Sequence, residues 1–146
     1  MVDREILLRR IELIREYGEI LKELVALPAD TFVGDPNVYL KAERCLEVII
    51  QAMLDIGGHI ISARQLGQPS RYDEIFAILG QHGVIDEELA ERLRGLAGLR
   101  NILVHAYLEL DRARVQKLVA DDLGHFEEDV SQVVDFMDET DDRPEV

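Results

Sequence analysis

The sequence predicts an all-α protein, an up-down helical bundle of about five helices, and three observations carry that expectation. Apolar residues recur at three- and four-residue spacing through most of the chain. No segment shows the alternating, β-branched pattern between turn residues that marks a strand. Prolines and glycines gather where one periodic stretch gives way to the next.

The elements follow in order. After Asp3, a candidate N-cap, Leu7, Ile11, Ile14, Leu21 and Val25 share one stripe of a first helix that is charged on its other face and that Pro28 ends. Residues 28–37, PADTFVGDPN, hold two prolines, a glycine and three Asp or Asn residues and read as one loop. A second helix is expected from about Val38 to Gln65, roughly 40 Å long, with Ala42, Leu46, Ile49, Met53, Ile56 and Ile60 on its buried side. Gly67 and Pro69 interrupt the pattern, and Ser70 is the candidate cap of a short helix through Phe76 and Leu79 that ends in the Gly80–Gly83 region. Asp86, with Glu87 and Glu88 suited to a helix N-terminus, opens a fourth helix along Leu89, Leu93, Leu96 and Leu103, reaching Val104 or Tyr107. Asp111 opens a last helix whose stripe is Val115, Leu118, Val119, Phe126, Val130, Val133 and Met137.

A length of 146 residues suits one domain, expected over residues 1–140, with an acidic tail at 141–146. With 47% hydrophobic and 32% charged residues the chain is too apolar for general disorder. No uninterrupted apolar run approaches the ~20 residues of a membrane span, and charges at positions 3, 4, 5, 9 and 10 break any signal-peptide core, so the expectation is a cytoplasmic protein without a membrane. Cys45, the sole cysteine, has no partner for a disulfide or a thiolate zinc site and reads as a packing residue, as do Met53 and Met137. The net charge is −14, but residues 121–146 hold 11 acidic residues against the single basic Arg143, so the preceding body is nearly balanced. His82 and His125 read as solvent-exposed.

Chemistry concentrates in RNILVHAYLELD, Arg100 to Asp111, where polar residues interrupt a leucine-rich helix. Asn101 and His105 are i and i+4 neighbours, and Arg100 has the reach to converge on the same spot. A guanidinium, an amide and an imidazole suit a phosphodiester, the first gripping non-bridging oxygens and the last moving protons near neutral pH. No carboxylate cluster or H-E-x-x-H pattern accompanies them, so no metal site is indicated. On spacing alone the plainer reading is a surface ion pair for Arg100, a helix-end His105 and an incidental Asn101.

RNILVHAY resembles the R-x4-H-x-Y motif of the HEPN superfamily, and specifically of HepT-like toxins paired with minimal nucleotidyltransferase antitoxins. The segments from Glu43 to Ile61 and from Tyr72 to Asp111 resemble the family in order and spacing. The resemblance implies a helical homodimer with the motif helices facing each other across a cleft, a metal-independent endoribonuclease without a cofactor, RNA as substrate and a cognate nucleotidyltransferase as partner. It places Arg100 and His105 at the catalytic positions, Asn101 at a variable, often polar position, and Tyr107 at the tyrosine that the partner modifies with AMP. Glu43 and Arg44 also match, with a supporting role, and Asp55 and His59 fall at positions commonly polar in the family. Those two read first as an internal polar pair and otherwise, with Glu43 and Arg44, as lining the cleft. The rival reading is a non-catalytic helical binding partner of a nucleotidyltransferase, which the acidic surface and scarcity of lysine favour.

Overall fold

Four long helices run alternately up and down. The computed structural model describes residues 2–141, side chains at 107, 123–125, 140 and 141 excepted. The first helix, α1, spans Arg4–Val25, and the Asp3 carboxylate accepts from the Glu5 and Ile6 amides at its N-terminus. All five stripe residues from Leu7 to Val25 are buried, as the periodicity predicts.

The stretch read as one loop contains a short helix, α2, over Ala29–Gly34. Pro28 holds φ at −55° before its first turn, and Phe32, 1% exposed, is buried where α2 packs on the next helix and on the last one. One buried aromatic ring is worth more than the turn propensity of its neighbours.

Helix α3, Pro36–Arg64, is the central element, with thirteen buried residues that include all six predicted ones. It is long and apolar enough to cross a membrane by length and composition, and 61% of its most apolar window is buried inside the fold. Asp3 meets His59 and Arg10 meets Asp55, so α1 and α3 are antiparallel. At the C-terminus of α3, Gln65 takes up a left-handed conformation.

Helix α4, Tyr72–Gln81, packs on α3 through Ile75, Phe76 and Leu79. Gly57 of α3 lets it come close: a Cβ there would lie 2.5 Å from Ile75 Cγ2. Ser70 does not cap α4 by accepting from its backbone. Instead the Glu74 carboxylate accepts the Ser70 amide at 2.8 Å and the Ser70 hydroxyl at 3.1 Å, bonds that lower the Glu74 pKa. Gly83, at φ +71°, turns the chain toward the next helix.

Helix α5, Glu87–His105, is capped by Asp86, whose carboxylate accepts the Leu89 amide at 2.8 Å. It stops at His105, short of Tyr107, and a single 3₁₀ turn, Tyr107–Glu109, follows. Helix α6, Arg112–Asp141, returns antiparallel to α1, with Arg4 paired to Asp138 and Arg15 to Glu127. Gln116, buried, donates to the carbonyls of Val25 and Leu27 and so closes the end of α1. The expected α6 stripe is buried except Leu118, which is 42% exposed, and Leu103 of α5 is only half-buried. Cys45, Met53 and Met137 lie in the core. The expected acidic tail falls outside the described residues but for Asp141, the last residue of α6.

Candidate functional site

The motif occupies the last turns of α5, a helix that packs on α4 and α3. Arg100 is half-buried, and its Nε is buried without a hydrogen-bond partner. Its guanidinium carbon lies 5.2 Å from the centroid of the Tyr72 ring at the start of α4, within cation–π range. Arg100 forms one wall of a cleft of about 380 Å³ against α1 and α3, where Arg9, Arg10, Arg44, Glu47 and Asp55 also project.

A step of one residue turns the helix by about 100°, and that step separates Asn101 from Arg100. Asn101 is exposed and lines a different groove, of about 790 Å³, together with Tyr72, Arg94 and Gly98. His105 is exposed at the end of α5 and lines neither cavity. Within a protomer the three motif residues, expected to converge from their spacing, do not line one shared cavity among these two. Tyr107 begins the 3₁₀ turn two residues beyond His105, and its side chain is outside the described residues.

The supporting residues divide. Arg44 and Asp55 line the Arg100 cleft of the single protomer. Arg44 pairs with Glu47 at 3.3 Å, while Asp55 accepts from Gln51 Nε2 at 2.9 Å and pairs with Arg10 at 3.6 Å. Asp55 and His59 are not an internal pair, and His59 does not line the cleft. His59 sits a turn further along α3, where its Nε2 accepts the Asp3 backbone N–H at 2.8 Å, a bond that leaves the ring proton on Nδ1. Glu43 also misses the cleft, because it faces the start of α6 and accepts from Arg112 Nε at 3.0 Å. Arg112 in turn lies over the Tyr39 ring at 3.9 Å. His82 is exposed, its Nδ1 2.9 Å from the Ile78 carbonyl, and the His125 side chain is outside the described residues.

Three contributors escaped the sequence reading. Arg9 and Arg10 belong to the charged face of α1, and the signal for them was the Arg-Arg pair itself, opposite the apolar stripe. Tyr72 stands at the first position of α4 with nothing in its spacing to link it to Arg100.

Comparison with known proteins gives this geometry a setting. A HepT-like ribonuclease family model matches residues 14–133. The chain is 32% identical over 128 residues, 88% of its length and 87% of the relative's, to a tRNA nuclease HepT of Aphanizomenon flos-aquae. Over 97 residues, 66% of this chain and 70% of the relative, it is 37% identical to an mRNA nuclease HepT of Shewanella oneidensis. Among solved structures, a toxin-antitoxin complex of MntA and HepT aligns with a TM-score of 0.81 at 27% identity, covering 88% of this chain and 97% of the other. A tri-AMPylated HEPN toxin of Shewanella oneidensis, bound to an MNT antitoxin, aligns at 0.76 and 27%, covering 93% and 98%. A matched helical bundle and a family match over most of its length together show that this chain belongs to the HepT-like ribonuclease family.

Proposed function

We propose that the chain is a metal-independent endoribonuclease toxin that cleaves RNA at a site shared by two protomers. The observation that carries this is Arg100, a permanently charged group on the motif helix with a buried, unpartnered Nε at the edge of an open cleft. In RNA the 2′-hydroxyl attacks the adjacent phosphorus, loses its proton as the new bond forms, and the leaving 5′-oxygen takes up a proton. Arg100 stabilises the charge on the pentacoordinate phosphorus, and His105 carries a proton.

The shared site is supported by the face that α5 leaves open. Gly95 and Gly98 meet nothing within 4 Å of a built Cβ, and Ile102 is 43% exposed on the same side as His105. Two copies brought together on this face supply a second histidine for the second proton. The antitoxin partner, a nucleotidyltransferase that attaches AMP to Tyr107, is supported by the likeness to the AMPylated Shewanella toxin in its complex.

RNA cleavage in EDTA by the purified chain tests the proposal. Arg100→Ala and His105→Ala should each slow it by ~100-fold or more while the circular dichroism spectrum stays that of the parent. Chelation that stops the reaction, or variants as active as the parent, would overturn it. A strictly monomeric chain at micromolar concentration would remove the shared site. The net charge of −14 favours a second reading, a non-catalytic partner of a nucleotidyltransferase, and that reading requires no cleavage by the parent at all.

A further inference from the structure

The geometry points to the α1–α3 cleft as a phosphate-binding subsite for RNA, in which Arg9, Arg10 and Arg44 hold backbone phosphates on either side of the one bound by Arg100. This rests on the ribonuclease reading above and extends it to where the rest of the strand lies.

The argument is one of charge set against background. The chain carries −14 overall, so any polyanion is repelled from most of its surface. Four arginines nevertheless line this one cleft, against two acidic residues, Glu47 and Asp55. The arginines come from three helices, α1, α3 and α5, so no single helix face accounts for the cluster.

Their present partners are weak competitors. Arg9 pairs with Glu5 at 2.9 Å with both side chains about three-quarters exposed, and Arg44 pairs with Glu47 at 3.3 Å while itself 69% exposed. Exposed pairs of this kind contribute little and are screened by salt. A phosphodiester offers each planar fork two oxygens in matched geometry, which a mobile surface carboxylate shares only in passing. Arg10 is held more firmly, between the Ile6 carbonyl at 3.4 Å and Asp55 at 3.6 Å, with its side chain 36% exposed. Because Arg100 lines the same cleft, the other three arginines lie close to the phosphate that it is proposed to bind.

The test uses the full chain and a short single-stranded RNA bearing 2′-O-methyl riboses, which cannot undergo 2′-hydroxyl attack, with binding read by fluorescence anisotropy. Arg9→Gln and Arg44→Gln should each weaken binding several-fold, and each should lower the slope of log K against log salt by about 0.7. Arg114→Gln, which removes the same charge from α6, should change neither. With cleavable RNA the two variants should raise KM and leave kcat near the parent value. A double variant with parental affinity and salt slope, or one that lowers kcat at unchanged KM, overturns the subsite while leaving the ribonuclease reading intact. Parental cleavage by both Arg100→Ala and His105→Ala overturns the ribonuclease reading, and the subsite with it.

Discussion

The guanidinium of Arg100 lies 5.2 Å from the centre of the Tyr72 ring, and this contact joins the motif helix α5 to the start of α4. Arg100 has lost solvent at Nε without gaining a hydrogen bond there, so the ring supplies much of what orients the group. Tyr72→Phe keeps the π face and should cleave RNA like the parent. Tyr72→Ala should lower kcat by roughly twofold to fivefold, the equivalent of ~0.5–1 kcal/mol for a partly exposed cation–π contact. Because Tyr72 is 50% exposed, the melting temperature should barely move in either variant, and a large fall in Tm without a fall in kcat would refute the orienting role.

That contact depends on how closely α4 sits on α3, and Gly57 sets the distance. A methyl group at 57 would meet Ile75 Cγ2 at 2.5 Å and Leu79 Cδ1 at 3.1 Å. Overpacking costs ~1–3 kcal/mol and outweighs the ~1 kcal/mol that alanine gains over glycine in a helix. Gly57→Ala should therefore destabilise the fold in a denaturant titration. It should also reduce cleavage in the protein that remains folded, since α4 must shift and carry Tyr72 with it. Gly18→Ala, at a helical glycine with nothing within 4 Å, should instead be neutral or stabilising.

How far the sequence reveals all this depends on the physical origin of each feature. The stripe from Leu7 to Val25 is legible because a buried helix face leaves a 3.6-residue period, and the structure buries every member. Asp3 and Asp86 are legible as caps because a carboxylate ahead of a helix has one favourable use. Phe32 is not, because a single aromatic residue among turn formers has no period, and its value lies in tertiary burial. The motif is readable as a string, yet the different cavities of Arg100 and Asn101 depend on what packs on each side of α5. The cleft itself joins Arg9 and Arg10 to Arg100 across some ninety residues of sequence, and α1 marks those two only as members of a solvated face.

Asp129 is a buried charge that no sequence pattern announced. It is 6% exposed within α6, and burial, reinforced by the neighbouring Glu128 charge, raises its pKa from 3.8 to about 7. The folded state therefore holds the proton more tightly than the unfolded state does. Its stabilising share is fully present below pH 3.8, declines as pH rises, and is lost above about 7. Asp129→Asn removes the titration, so the variant should be more stable than the parent at about pH 8, by up to ~4 kcal/mol, with the difference shrinking toward zero near pH 4. Urea titrations of both proteins across that range check it, and a parallel pair of stability curves would show that Asp129 does not titrate there.

The proposed control by AMPylation rests on Tyr107, which opens the 3₁₀ turn two residues beyond His105 at the end of α5. Each AMP attached to its phenol adds a phosphodiester carrying one negative charge within a few residues of Arg100. The guanidinium then has a tethered anion to pair with in place of RNA, and the added nucleotide occupies space that the substrate would need. Tethering makes this competitor effective even where a free nucleotide would bind weakly, because its local concentration is set by a short covalent link. Co-expression with the cognate nucleotidyltransferase should shift the intact mass by whole AMP units and abolish RNA cleavage. Tyr107→Phe should keep the parental mass and remain active in the presence of the nucleotidyltransferase and ATP. Suppression of the Tyr107→Phe protein by the same partner, with no mass change, would show inhibition by binding alone and leave Tyr107 a structural residue of the turn.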